Sequence, residues 1–81
     1  MNVVYFAWVR ERIGERSEVF DGEAKTVSDV LDQLASKSPA HELALSDRAA
    51  LRCALDQKLV DPDTPIADAA ELAIFPPMTG G

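Results

Sequence analysis

The chain has 81 residues and a formal net charge of −6, with 47% apolar and 27% charged residues. This length gives one domain with a modest core rather than a deep enzymatic cleft, and the apolar content is that of a folded globule. The acidic balance argues against a nucleic acid partner, since phosphate contacts need clustered Lys and Arg.

The N-terminal region predicts two paired strands. Residues 3–9 are apolar but too few to span a membrane, and no basic residue or small-residue cleavage site flanks them as in a signal peptide. Residues 3–7 therefore predict a first strand, residues 10–12 a helical turn closed by Gly14, and residues 18–20 a second strand. The single Cys cannot form an internal disulfide, which favours the cytoplasm and no membrane association.

The main helix is predicted to begin at Thr26, because Thr26 and Asp29 have the spacing of a capping box. Apolar residues then recur at i, i+3, i+4 and i+7, forming one stripe made of Val27, Val30, Leu31 and Leu34. This helix should end near Ser38 and Pro39, and a second short helical piece is expected at about residues 40–45.

The second half of the chain predicts three more strands. Leu51, Cys53 and Leu55 alternate with other residues, as in a half-buried strand; residues 56–58 turn into a short strand at 59–60, and residues 71–75 form the last. The fold class is therefore α+β, a roll in which a mixed sheet of about five strands packs on one main helix.

The last six residues predict a tail, Pro76-Pro77-Met78-Thr79-Gly80-Gly81. Pro lacks the N–H that a neighbouring strand needs, so Pro76 and Pro77 should end the sheet. Gly80 and Gly81 have no Cβ, so the tip can thread a narrow channel and present a free carboxylate. We expect residues 1–75 to form the domain, and residues 76–81 a flexible extension that enters another protein's active site.

The chain lacks the usual side chains of catalysis. One His and one Cys do not supply the converging ligands of a metal site, so we expect no metal and no autonomous catalytic site. Cys53 shares the inward parity of its apolar neighbours and is predicted to be a buried, inert thiol. His41, which follows Pro39 near a helix start, is predicted to be a solvated surface residue.

A terminal carboxylate can carry sulfur when a partner activates it. The carboxylate itself is a poor electrophile, but an anhydride with AMP gives it a good leaving group. A sulfur nucleophile can then displace AMP and leave a thiocarboxylate. The chain itself would bind no cofactor, since ATP and magnesium are used by the activating partner.

Three segments carry a family resemblance across essentially the whole chain. They are Val4-Tyr5-Phe6-Ala7 continuing through Val9-Arg10-Glu11 to Gly14, the Thr26-Val27 helix start, and Leu72-Ala73-Ile74-Phe75-Pro76-Pro77-Met78-Thr79-Gly80-Gly81. The last is the most specific. The chain resembles the MoaD-like sulfur-carrier subunits of molybdopterin synthase, which are ubiquitin-like β-grasp proteins.

The resemblance implies roles for particular residues. Gly81 would be adenylated by an E1-like adenylyltransferase and converted to a thiocarboxylate, which donates sulfur to cyclic pyranopterin monophosphate to form the dithiolene of the molybdenum cofactor. Phe6, Leu59 and Phe75 would form an apolar contact patch for partners. The residues that would thread into the large catalytic subunit of a hetero-oligomer are Pro76, Pro77, Met78, Thr79 and Gly80.

One departure from the family pattern precedes the last strand. The family usually has Gly-Asp where this chain has Ala69-Ala70. Gly suits a turn with positive φ, and Ala would cost about 1 kcal/mol if that geometry persisted.

Other functions fit the same sequence features. A sulfur carrier for thiamine synthesis or tRNA thiolation would share the Gly-Gly end. A ubiquitin-like modifier joined to lysines of target proteins, or a non-covalent interaction domain, would also fit an acidic fold of this size.

Overall fold

The computed structural model describes residues 1–77, and within this range five strands and three α-helices form an α+β roll. In chain order the elements are β1 (Asn2–Tyr5), α1 (Ala7–Ile13), β2 (Ser17–Val19), α2 (Val27–Ala35), α3 (Pro39–Leu45), a 3₁₀ helix (Arg48–Ala50), β3 (Arg52–Leu55), β4 (Lys58–Val60) and β5 (Glu71–Phe75). The predicted strands and main helix are therefore confirmed.

The strands of residues 1–77 form one mixed sheet in the order β2-β1-β5-β3-β4. β5 lies at the centre, parallel to β1 and antiparallel to β3, while the two outer pairs are antiparallel. The last strand in sequence is thus paired on both sides, and its end, Phe75, lies beside Arg52 at the start of β3.

Residue alternation along the strands gives the sheet an inner face and an open face. The inner side chains are Val3, Tyr5, Cys53, Leu55, Leu72 and Ile74, all of them buried. They pack in one core with the stripe of α2, which is Val27, Val30, Leu31 and Leu34. The predicted stripe and the predicted inward parity of Cys53 are both confirmed.

The capping box of α2 is formed as predicted. The backbone N–H of Asp29 donates to the Thr26 Oγ1 at 3.2 Å, and the backbone N–H of Thr26 donates to the Asp29 Oδ2 at 3.1 Å. Two N–H groups at the helix start are thereby satisfied. None of the helices within residues 1–77 has the length and apolar character needed to cross a membrane.

Two element boundaries fall earlier than predicted. β1 ends at Tyr5 rather than at residue 7, because Phe6 is the extended residue that precedes α1. α2 ends at Ala35 rather than near residue 38, because Ser38 is extended and caps α3, which begins with Pro39. A residue before proline disfavours helical geometry, so one continuous helix cannot pass this point.

The helix α1 ends as its sequence predicts. Gly14 adopts a left-handed conformation with φ of 89°, and its N–H donates to the Arg10 carbonyl at 2.8 Å. Only glycine reaches this conformation without a steric cost from Cβ. Gly14 therefore stops the helix and turns the chain into β2.

The loop before β5 does not use positive φ at the positions where the family has Gly-Asp. The left-handed residue in this loop is Ala67, with φ of 43°, and neither Ala69 nor Ala70 has positive φ. The Asp56 carboxylate accepts the N–H groups of Ala70 and Glu71, both at 3.0 Å. The turn differs locally, and the cost expected at Ala69-Ala70 does not arise there.

The prediction for His41 was wrong, because this side chain is buried and retains 6% of its accessible surface. Its Nε2 donates to the Glu18 Oε2 at 2.7 Å, and its Nδ1 lies 2.7 Å from the Ser38 Oγ. The Tyr5 hydroxyl also donates to the Glu18 Oε2, at 2.7 Å. A buried polar cluster therefore ties β1, β2 and α3 together.

Glu18 is the centre of this cluster, and Lys37 pairs with its other oxygen. Burial raises the pKa of Glu18, but hydrogen bonds from Lys37, His41 and Tyr5 outweigh it and lower the pKa from 4.5 to about 2. Burial and the Glu18 carboxylate raise the pKa of Tyr5, which stays protonated as a donor. The carboxylate is therefore held ionised beneath the sheet edge.

We expect Glu18→Gln to destabilise the fold at neutral pH and to lose this effect in acid. A carboxyl whose pKa is lowered on folding stabilises the native state above its unfolded value, and that contribution disappears as pH falls from 4.5 towards about 2. Urea unfolding across this range should show the two free energies converging. Glu11→Gln, at an exposed position on α1, is the matched control; parallel curves for wild type and Glu18→Gln would contradict the assignment.

Candidate functional site

The chain leaves the sheet at its centre. β5 ends at Phe75, and Pro76 and Pro77 follow as half-buried residues outside the strand. Because proline cannot donate to a ladder, the pairing of β5 stops here. The exit lies where β1 ends and β3 begins, since Tyr5 pairs with Ile74 and Arg52 pairs with Phe75. Met78, Thr79, Gly80 and Gly81 lie outside the described residues, and their roles stay predictions.

The open face of the sheet carries the residues predicted to contact partners. By this name we mean the outward side chains at the end of the sheet where the chain leaves it, namely Val4, Phe6, Arg52, Ala54, Leu59, Ala73 and Phe75. Asn2 and Glu71 point the same way from the other end of β1 and β5. Phe6 and Phe75 pack edge to face with ring centroids 6.5 Å apart, a favoured aromatic geometry. Phe6 remains 47% exposed, so its ring is available to another molecule.

Leu59 lies across the open face on the edge strand β4, where it is 69% exposed. The turn before it has positive φ at Asp56 and Gln57, 48° and 72°, the backbone twist that suits a two-residue hairpin. The Asp56 carboxylate holds this turn to the backbone of β5. The structure thus brings Phe6, Phe75 and Leu59 to one face, and their role as a contact patch for partners stays a prediction.

The floor of the open face is made by two alanines that the sequence reading did not assign to it. Ala54 pairs with Ala73 on one side and with Leu59 on the other. Both alanines are nearly covered, at 9% and 8% exposure, although they point away from the core. Small residues between Phe75 and Leu59 leave a shallow apolar surface. The outward parity of Ala54 and Ala73 on their strands was the sequence signal that could have placed them on the open face.

An open depression of about 580 Å³ adjoins this face beyond Arg52 and Leu59. Its other lining residues come from α2, the 3₁₀ helix, β3 and the loop after β4, and include Leu31, Arg48 and Asp61. Arg48 donates to the Asp32 carboxylate at 2.8 Å and to the Leu45 carbonyl at 2.9 Å, so its guanidinium is already engaged.

Cys53 lines the same depression but is buried in the inner face. Burial raises the pKa of its thiol to about 11, which keeps it protonated and unreactive at neutral pH. His41 cannot activate it, because both ring nitrogens are engaged by Glu18 and Ser38. Across residues 1–77, no group of three or more His, Cys, Asp or Glu is placed to hold a metal ion.

The buried cluster contains the residue types of a nucleophile–base–acid relay, with Ser38, His41 and Glu18 in a row. The Ser38 Oγ, however, accepts the backbone N–H of His41 at 3.1 Å and so caps α3. The second oxygen of Glu18 is taken by Lys37. These contacts give each group a structural task, and we assign the cluster to stability rather than to chemistry.

Comparison with known proteins gives consistent similarities over the whole chain. The model of the ThiS family matches residues 3–81. The molybdopterin synthase sulfur carrier subunits of Escherichia coli K12 and Haemophilus influenzae are 38% and 35% identical over 81 residues, covering 100% of this chain and 99% of each relative.

Solved structures agree on the fold. A crystal structure of SAMP1 from Haloferax volcanii has a TM-score of 0.77 and 30% identity, covering 100% of this chain and 98% of that one. A crystal structure of H. volcanii small archaeal modifier protein 1 has a TM-score of 0.76 and 28% identity, covering 96% and 97%. The ubiquitin-like β-grasp architecture predicted from the sequence is confirmed.

We expect the Cys53 thiol to react slowly with a disulfide reagent such as DTNB in the native protein and fast after unfolding in urea. From neutral to mildly alkaline pH the native reaction should stay far slower than the unfolded one, because a thiol pKa of about 11 keeps the native thiolate fraction small. The absorbance of the coloured thiolate that the reagent releases measures the native and the unfolded rate. Native and unfolded rates of similar size would show that the thiol is accessible.

Proposed function

Because the chain belongs to the ThiS family, we propose that it is the sulfur carrier subunit of a cytoplasmic molybdopterin synthase. The observation that carries this proposal is the exit of the Pro76-Pro77 segment from the centre of the sheet beside the apolar open face. Full-length similarity to two molybdopterin synthase sulfur carrier subunits supports it.

The proposed chemistry takes place on the carboxylate of Gly81. An E1-like adenylyltransferase, which binds ATP and magnesium, joins the carboxylate to AMP and releases pyrophosphate. Sulfur at the oxidation level of sulfide then attacks the acyl carbon, the bond to the AMP phosphate oxygen breaks, and AMP leaves, so that a thiocarboxylate remains with no change of oxidation state. Exclusion of water inside the partner protects the acyl adenylate from hydrolysis.

Sulfur transfer then requires a second partner, the large catalytic subunit of the synthase. The tail from Pro76 to Gly80 threads into that subunit and brings the thiocarboxylate to cyclic pyranopterin monophosphate, where the dithiolene is built. The acid–base and phosphate-binding groups belong to the large subunit. This chain supplies the sulfur and the surface that docks it, in a hetero-oligomer.

The open face is the docking surface in this proposal. Phe6, Leu59 and Phe75 present apolar area around the alanine floor, and aromatic residues of this kind contribute strongly to protein–protein affinity. The face is continuous with the tail exit, so one partner can cover the face and receive the tail together.

The charge of the chain fits a basic partner. Lys58 is the last basic residue, and acidic side chains follow it at Asp61, Asp63, Asp68 and Glu71. The net negative field of the chain accelerates encounter with a basic cleft, and the effect falls with salt.

A second candidate is a modifier that is joined to other proteins through its C-terminal glycine. The solved structures that support it are those of the small archaeal modifier protein, at 28–30% identity. The first chemical step would be the same adenylation, but a lysine amine rather than sulfur would attack the acyl group. A sulfur carrier for thiamine synthesis or tRNA thiolation would differ only in the final acceptor.

We expect Gly81 of the protein isolated from its own cells to carry sulfur in place of one carboxylate oxygen. Fragmentation of the C-terminal peptide by mass spectrometry locates the exchange, and thiol-specific alkylation distinguishes it from oxidation of Met78. Deletion of Gly81 is expected to abolish sulfur transfer and molybdoenzyme activity while leaving the thermal midpoint unchanged. Plain carboxylate in cells that make molybdoenzymes would contradict the carrier role, and isopeptide adducts on lysines would establish the modifier.

We expect Phe75→Ala to weaken binding to the large subunit by about 1–3 kcal/mol, because a central aromatic side chain is lost from the docking surface. Titration calorimetry with the purified large subunit measures the dissociation constant. The matched control is Leu43→Ala, which removes a 66% exposed apolar side chain from α3, away from the open face. Equal affinities for wild type and Phe75→Ala would remove Phe75 from the docking surface.

A further inference from the structure

Arg52 is the one cation among the residues that define the open face, and the other residues of that set are apolar. It is exposed, it pairs in register with Phe75, and only Leu51 separates it from the 3₁₀ helix Arg48–Ala50. It also lines the depression that adjoins Leu59. A partner that covers Phe75 and Leu59 together must therefore also cover the Arg52 side chain.

Backbone carbonyls hold the Arg52 guanidinium in place. The Nη1 group donates to the Leu51 carbonyl at 3.0 Å and to the Ala49 carbonyl at 3.3 Å. Ala49 belongs to the 3₁₀ helix and Leu51 caps its C-terminal end, so both carbonyls are held in place and order the side chain before any partner arrives. Less entropy is then lost when the remaining donors are engaged.

The donors left over have a useful geometry. Within the described part of the chain, neither Nε nor Nη2 of Arg52 has a hydrogen-bond partner, and no acidic side chain pairs with it. Nε and Nη2 share one edge of the planar guanidinium, the edge that binds the two oxygens of a carboxylate in parallel. Arg48 lacks such a free edge, because it is already paired with Asp32.

Covering this edge without an acceptor would be costly. A guanidinium that loses its water against an apolar surface is left with an unpaired charge, and specific interfaces avoid that arrangement. An Asp or Glu on the partner would satisfy both donors at once. A partner surface that lacks such an acid would be rejected by the same charge.

We propose that Arg52 determines partner specificity by forming a two-pronged ion pair with a carboxylate on the protein that receives the tail. This inference rests on the proposed function, since it takes the large subunit as that protein. The open face then combines apolar contacts at Phe75 and Leu59 with one charged contact between them. The wider field of the chain attracts a basic partner, and Arg52 requires one acid at a defined point within it.

The test compares two variants that lower the net charge by the same two units. Arg52→Glu changes the open face, whereas Lys25→Glu changes an exposed residue beside the start of α2, in the layer that packs on the inner face. Dissociation constants with the purified large subunit are measured by calorimetry at about 50 mM and about 300 mM salt, since salt screens the long-range field more than a covered pair. Thermal midpoints of the free proteins establish that each variant is folded.

Arg52→Glu is expected to raise the dissociation constant at least about tenfold more than Lys25→Glu does, and to keep most of that difference at the higher salt. Arg52→Gln, which keeps the length of the side chain and serves if Arg52→Glu does not fold, should lose affinity to a smaller degree. Arg52→Lys should fall between wild type and Arg52→Gln, because an ammonium retains the charge but not the planar edge.

Equal losses for Arg52→Glu and Lys25→Glu would overturn the inference and leave only the general field. Tight binding of every variant would also overturn it, while the sulfur on Gly81 would still support the carrier function. A wild-type chain that gains sulfur at Gly81 but does not bind the large subunit would refute both the choice of partner and the ion pair.

Discussion

The pairing of β5 between β1 and β3 is the constraint on which the rest of the structure depends. A strand that hydrogen-bonds on both sides is fixed in register, and a slip of one residue would turn Leu72 and Ile74 out of the core. The same pairing determines where the chain leaves the sheet after Phe75. The end of the chain is therefore attached to a central strand that is paired on both sides, which fixes where the chain leaves the sheet relative to the open face.

Strand alternation lets one short segment serve two surfaces. In β5, Leu72 and Ile74 belong to the core, while Ala73 and Phe75 belong to the open face. Alternate residues of β5 thus belong to two surfaces, the core that stabilises the fold and the open face that we propose binds other proteins. Substitutions on the open face can alter binding with little effect on packing, because Ala73 and Phe75 pack against other outward side chains rather than against α2.

The sequence was informative where one local pattern determines the outcome. The Thr26 cap, the stripe of α2 and the parity of β3 each follow from spacing alone, and each is confirmed. His41 was misread because its burial depends on Glu18, a residue 23 positions away that points inward only once β2 pairs with β1. The alanine floor and the exposed edge of Arg52 likewise depend on strand order, which composition and periodicity do not reveal.

The charges of this molecule act over two different distances. A formal net charge of −6 acts over roughly the Debye length of about 8 Å at physiological salt and sets how fast partners meet. A single ordered guanidinium acts only on contact, where water has been removed and an unmatched partner is penalised. An acidic carrier whose docking face holds one cation can therefore be attracted to many basic surfaces and still bind tightly to those that place a carboxylate opposite Arg52. Long-range attraction depends on the net charge acting through water, whereas selection between partners depends on Arg52 at a contact from which water has been removed.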